Sequence, residues 1–227
     1  MQGEMIPFRA NGRTAPGYLN AAAGSGPGLV IIQEWWGLVD HIKHLADRFA
    51  AEGFIVLAPD LYDGRATRSP DEAGKMMMAL RIEEAAKDIK GAGEHLLSLS
   101  SLTPRKVATL GFCMGGQLAL FAAQRFPDVI SAAVDFYGYA IHPGASIEPD
   151  ELKVPAQAHF GRRDRTVKES DARALVERYH AAGKPFEAHF YDAGHAFFND
   201  ARPEVFDEPS ADLAWQRTLS FLRSNLH

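Results

Sequence analysis

The sequence predicts an α/β fold: a mostly parallel central sheet flanked by helices on both faces. Three observations carry this. Short apolar stretches alternate with longer amphipathic ones, the pattern of strands joined by crossover helices. A glycine-bounded turn at Cys113 joins a strand-like stretch to a helix-like one. At 227 residues and 46% hydrophobic, the chain buries a full core in one domain, 1–227, and no linker divides it.

The elements follow in order. Residues 5–10 and 14–19 read as strands, and Asn11-Gly12 between them is a two-residue hairpin turn. Residues 28–33 form an apolar strand that opens the parallel sheet. A helix over 39–51 carries Ile42, Leu45, Ala46 and Phe49 at helical spacing, which marks one buried face. Residues 54–58 are a strand ending at Pro59. Residues 71–97 read as helix, with a break expected near Gly91 and Gly93. Strand 106–112 leads through the Cys113 turn into a helix over 117–124. Further strands are expected at 129–136, 156–160 and 187–191, and helices at 168–182 and 210–225. The Pro- and Gly-rich loop 139–153 is expected to lie over the site.

Cys113 is the only cysteine, and it sits in Gly111-Phe112-Cys113-Met114-Gly115-Gly116. This is the nucleophile-elbow pattern with sulfur in place of the serine oxygen. The glycines let strand and helix backbones approach closely around a strained turn. The turn puts the side chain at a helix N-terminus, where the backbone dipole favours a thiolate. The competing reading of a lone cysteine is a small buried hydrophobe.

A thiol nucleophile needs a base, and the base needs a carboxylate to orient it. Asp164 follows the strand ending at Gly161, and His195 follows the strand ending at Tyr191. Open α/β sheets build their sites at such strand ends. The order Cys113, Asp164, His195 is that of the α/β-hydrolase fold. Asp192 and Asp171 compete for the acid role, Asp171 from inside an expected helix. The backbone N–H groups of Met114 and Trp35 are the expected oxyanion hole. Trp36, Tyr137, Phe197 and Phe198 are expected pocket walls, against ordinary packing as the alternative.

The chain resembles the dienelactone hydrolase family. The resemblance rests on Gln33-Glu34-Trp35-Trp36-Gly37, Ala58-Pro59-Asp60-Leu61-Tyr62, Gly111-Phe112-Cys113-Met114-Gly115-Gly116, Gly161-Arg162-Arg163-Asp164 and Gly194-His195-Ala196-Phe197, and spans nearly the whole chain. It implies an α/β-hydrolase core without a large cap and a Cys–His–Asp triad at Cys113, His195 and Asp164. It also implies hydrolysis of an unsaturated lactone to an open-chain dicarboxylate such as maleylacetate, in bacterial degradation of chlorinated aromatics. In that family a glutamate at the place of Glu34 contacts the resting thiol and moves on substrate binding. A carboxylate close to sulfur disfavours the thiolate and protects it from oxidation.

The sequence departs from the family in its arginines. Family members bind the substrate carboxylate with an arginine a few residues after the histidine; here Asn199 holds that offset, with Arg202 nearby. The second arginine would fall near residues 72–82, where Lys75 and Arg81 are available; lysine lacks the bidentate fork. Met76-Met77-Met78 reads equally as pocket wall or core.

The expected partner is a small lactone or ester, and the expected state a monomer or weak homo-oligomer. A net charge of −5 argues against nucleic acid. No apolar run is long enough to span a membrane, and the first residues lack a signal-peptide pattern. A lone cysteine excludes an intrachain disulfide, which with the rest points to the cytoplasm. No cofactor motif is present. His41 and His44 lie three apart without further ligands, so they read as exposed helix residues rather than a metal site. Two further classes stay open: a general carboxylesterase or thioesterase on the same scaffold, and a non-catalytic redox or binding protein.

Overall fold

A computed structural model describes residues 2–226; Met1 and His227 of the expected 1–227 domain lie outside the described residues. The chain opens with β1 (Glu4–Ala10) and β2 (Arg13–Asn20), paired antiparallel. Asn11 and Gly12 between them both have positive φ, 48° and 74°. That backbone matches the twist of a tight hairpin and suits Asn-Gly.

Then come β3 (Gly26–Ile32), α1 (Asp40–Ala51), β4 (Ile55–Pro59), α2 (Pro70–Ala79) and α3 (Ile82–Ser98). They are followed by β5 (Leu102–Phe112), α4 (Met114–Arg125), β6 (Ala132–Phe136), β7 (Ala156–Gly161), α5 (Glu169–Ala181), β8 (Phe186–Tyr191) and α6 (Glu208–Leu226). The strands form one eight-stranded sheet in the order β1-β2-β4-β3-β5-β6-β7-β8. β2 runs antiparallel to both of its neighbours, β1 and β4, and the ladder from β4 through β8 is parallel. Among the described residues, no separate cap domain covers the sheet.

Every residue of β3, β4 and β6 is buried, as expected for strands covered on both faces. Alternate side chains feed two cores. Val30 and Ile32 join Ile89, Leu96 and Leu118 on the face covered by α3 and α4. Leu29 and Ile31 join Ile42, Phe49 and Leu222 on the face covered by α1 and α6.

The long helix expected over 71–97 breaks elsewhere than at its glycines. Leu80 and Arg81 are extended, with ψ 124° and 103°, and they separate α2 from α3. Gly91 instead lies inside α3 at its contact with β1, where a Cβ would stand 2.7 Å from the Ala10 Cα. Its lack of a side chain is spent on close packing, which outweighs the helix cost. The strand expected from 129 starts at Ala132, because Val129 and Ile130 close a turn onto the Phe126 carbonyl. The loop after β6 lies along α4. The Gln117 amide donates to the His142 and Ala145 carbonyls and accepts from the Ile141 and His142 N–H groups. Met76 is core, whereas Met78 is 58% exposed, so the methionine run does not act as one wall.

Candidate active site

The C-terminal ends of β3, β5, β6, β7 and β8 converge on one edge of the sheet, and each delivers part of the site. Cys113 is the N-cap of α4, with φ 54° and ψ −121°, a strained backbone for a residue with a side chain. The surroundings over-determine it. Its N–H donates to the Phe136 carbonyl at 2.9 Å, and its carbonyl accepts from Gly116 and Gln117. A Cβ on Gly115 would meet the Gln33 and Ile32 carbonyl oxygens at 2.4 Å, and one on Gly111 would meet the Gly115 oxygen at 2.0 Å. Strand β3, strand β5 and the first turn of α4 therefore pack backbone to backbone.

Asp164 and His195 sit on the loops after β7 and β8. These loops are laced together: Arg162 donates to the Tyr191 carbonyl at 2.7 Å and Arg163 to that of Ala193 at 2.9 Å. The Asp164 Oδ1 accepts from the Thr166 and Val167 N–H groups at 2.7 and 2.9 Å, which fixes the carboxylate. Its Oδ2 lies 2.7 Å from the His195 Nδ1. The acid is 1% exposed and the imidazole 22%, so the acid stands behind the ring. The rivals are elsewhere: Asp192 is 79% exposed and pairs with Arg163, and Asp171 is exposed on α5.

Burial pushes the His195 imidazolium down, but the hydrogen bond to Asp164 and the interaction with the Cys113 sulfur outweigh it, raising it to about 10. The structure thus brings Cys113, His195 and Asp164 together at one end of the sheet, with His195 hydrogen-bonded to Asp164.

Glu34 follows β3 and is 2% exposed. Its Oε2 accepts from the Asn199 Nδ2 at 3.0 Å. Burial raises its pKa, against the pull of His195, Arg202 and the Asn199 amide. Asn199, expected to meet substrate, is itself 2% exposed with its amide turned to Glu34.

The aromatic residues divide. Tyr137 has φ 47° and packs edge-on against His195, with ring centroids 5.0 Å apart. Its hydroxyl is buried with no hydrogen-bond partner among the described residues. Phe197 packs against Tyr137 and Tyr191. Phe198 is core rather than lining, 2% exposed and packed on Phe112 and Phe136. Trp35 and Trp36 meet edge to face at 4.9 Å. Trp36, Asn199 and Arg202 line a cleft of about 740 Å³ with Arg68, Lys43 and Thr67. The Arg202 guanidinium lies 5.6 Å over the Trp36 ring and 2.9 Å from Glu204. Arg81 faces a different cleft, with Arg13, Glu84 and Asp88 at the α2–α3 junction, and Lys75 lines a third with Arg65 and Glu72. His41, expected on the surface, is 7% exposed with Nδ1 3.1 Å from Asp200.

One buried acid escaped sequence reasoning. Asp135 lies on β6 beneath the elbow; a Cβ on Gly116 would stand 2.1 Å from its Oδ1. Burial, only partly offset by the Gly138 N–H and by His195, pushes it up to about 8. The available signal is a carboxylate inside an otherwise apolar strand buried on both faces.

The family model described as "Dienelactone hydrolase family" matches residues 15–226. The chain is 34% identical to "Protein usf" of Aquifex pyrophilus over 99% of both chains. It is 28% identical to "Carboxymethylenebutenolidase 1" of Cupriavidus pinatubonensis, covering 97% of this chain and 95% of that one. A solved structure, a dienelactone hydrolase-like promiscuous phosphotriesterase from metagenomic libraries, superposes with a TM-score of 0.85 at 19% identity, covering 99% of this chain and 98% of that one; at that identity the likeness establishes the fold. The fold is that of the α/β-hydrolases, and the chain is a hydrolase belonging to the dienelactone hydrolase family.

Proposed function

We propose that this protein hydrolyses small lactones and esters through a thioester on Cys113, with the dienelactone-to-maleylacetate reaction as its activity. The observation that carries the reading is Cys113 on a strained elbow, with its sulfur helping to raise a His195 whose Nδ1 lies 2.7 Å from a buried Asp164. A base held this way and raised to about 10 is protonated at neutral pH beside a sulfur nucleophile. The sulfur attacks the carbonyl carbon, and the Met114 and Trp35 N–H groups receive the oxyanion. Collapse of the tetrahedral adduct breaks the acyl C–O bond, and His195 gives its proton to the leaving oxygen. Neutral His195 then takes a proton from water as that water attacks the thioester. Breaking the C–S bond frees the acid and returns Cys113 and His195 to their starting state. A thiolate is itself a good leaving group, so the first step reverses unless the new hydroxyl is removed. An enol does this by ketonising, which favours an enol-lactone.

A second reading has its own support. Asn199 spends its amide on Glu34, and Arg81 lines a separate cleft. Of the basic residues expected to bind a substrate carboxylate, Arg202 is the one that lies near Glu34. That favours a general carboxylesterase or thioesterase whose substrate carries no such group.

The test follows dienelactone hydrolysis by ultraviolet absorbance in wild type and Cys113→Ala, with a nitrophenyl ester alongside. Fast lactone turnover lost in Cys113→Ala supports the first reading. Ester turnover alone, equally lost in the variant, supports the second. Turnover surviving in Cys113→Ala defeats both.

A further inference from the structure

Gln117 sits in the first turn of α4, where its backbone N–H donates to the Cys113 carbonyl at 3.3 Å. It is buried, and its amide makes its full complement of hydrogen bonds. Oε1 accepts from the Ile141 and His142 N–H groups at 2.9 and 2.8 Å. Nε2 donates to the His142 and Ala145 carbonyls at 3.0 and 2.6 Å. Gln124, two turns on and on the same side of the helix, repeats the grip. Its amide donates to the Ser146 carbonyl at 2.8 Å and accepts from the Glu148 N–H at 3.2 Å. Nearer β6 the loop crosses the elbow closely: a Cβ on Gly138 would stand 2.4 Å from the Cys113 carbonyl oxygen. Residues 139–141 are thus tied at both ends to the helix turn that carries the sulfur.

The sheet separates two apolar cores, yet Ile141 packs against both. One contains Met114 and Leu118, the other Cys113 and Tyr137. A side chain reaches both faces of a sheet only beyond the ends of its strands. Because the Ile141 N–H is held by Gln117, the end in question is the C-terminal one, where the site lies. Ile141 is only half-buried, and Cys113 is 8% exposed, so the way to the sulfur is narrow. The leaving oxygen must face His195, whose loop packs through Ala196 and Phe197 on the side of α1 and α6. The acyl chain, on the other side of the same carbon, is then directed toward α4 and Ile141.

We infer that Ile141 walls the acyl side of the site and limits the length of the acyl chain, and that Gln117 is the positioning residue that holds it there. This rests on the reading of Cys113 as the nucleophile of an ester hydrolase. The substrate class that follows is short-chain rather than long-chain acyl esters. Without the Gln117 amide, two backbone N–H groups and two carbonyls of the loop lose their partner, and the segment that carries Ile141 is free to move off the elbow.

The experiment measures kcat and KM of the full chain for nitrophenyl acetate and nitrophenyl hexanoate, and takes the ratio of kcat/KM, hexanoate over acetate. Loss of folded protein scales both substrates alike, so a merely structural role leaves the ratio where it was. Ile141→Ala should raise the ratio about tenfold, through a lower KM for the hexanoate. Ile141→Phe should lower it. Gln117→Met keeps the length of the side chain, removes its hydrogen bonds and should raise the ratio. The double variant Gln117→Met with Ile141→Ala should go no higher than Ile141→Ala alone, because Gln117 acts through Ile141. An unchanged or lowered ratio in Ile141→Ala would overturn the proposal, as would a wild-type ratio in Gln117→Met or single effects that add. Should Gln117→Met fail to fold, the two Ile141 variants decide, since that half-buried side chain makes no hydrogen bond. Turnover that survives in Cys113→Ala would overturn the nucleophile reading and this inference with it. A ratio that does not move while turnover still needs Cys113 overturns this inference alone.

Discussion

Replacing Asp164 by Asn tests the polar chain at its buried end. The amide keeps the size of the acid, and its oxygen still accepts from the Thr166 and Val167 N–H groups, now 2.7 and 2.9 Å from Oδ1. Its NH2 must then face His195 Nδ1, 2.7 Å away, in the place of an acceptor. A donor there matches neutral imidazole and repels imidazolium. Raising His195 from 6.5 to about 10 corresponds to about 5 kcal/mol. Asp164 and the Cys113 sulfur share that stabilisation, and burial opposes it. Assigning about half to Asp164 gives about 2–3 kcal/mol, or about 30–150-fold in rate if it is fully expressed at the transition state. The assay is kcat/KM for a nitrophenyl ester at neutral pH, with His195 protonation followed by nitrogen-15 NMR. A folded Asp164→Asn protein with less than about fivefold loss and an unmoved His195 midpoint would refute the reasoning.

The remaining predictions concern stability and the site's walls. His195 binds its proton more tightly folded than unfolded, so its stabilisation is complete below pH 6.5 and lost as pH rises through about 10; thermal melts of His195→Gln should show a flatter decline over that window. Asp135 is an acid whose folded pKa is raised, so its proton favours the fold below 3.8 and the advantage is gone above about 8; Asp135→Asn should remove that slope, and melts that keep it would place the titration elsewhere. Gly115→Ala drives a methyl onto two backbone oxygens at 2.4 Å, and should cost about 1–3 kcal/mol or more by denaturant unfolding together with most of the activity. Tyr137→Phe deletes an unpartnered buried hydroxyl while keeping the ring on His195, so stability should hold or rise by about 1 kcal/mol; a hundredfold loss of ester turnover would make the hydroxyl a participant.

The sequence by itself determined the succession of strands and helices, because apolar periodicity and turn residues act over a few neighbours. Asn11-Gly12, the elbow at Cys113 and the strand ends before Asp164 and His195 are all local signals, and each lies in the structure where it was expected. The break between α2 and α3 was not legible, since Gly91 and Gly93 have the chemistry of helix breakers and only contact with β1 and Val129 explains their place inside α3. Nor was the partner of Glu34. Asn199 lies 165 residues away along the chain, and no spacing rule links them; the parallel order of β3, β5, β6, β7 and β8 brings them together. The core packing of Phe198, the separate cleft of Arg81 and the burial of His41 were not legible for the same reason. Residue type gives the chemistry a side chain offers, but burial and direction depend on which other elements pack against it. Asp135 is the sharpest case: its cost and its position beneath Cys113 exist only once β6 is closed in between α4 and the rest of the sheet.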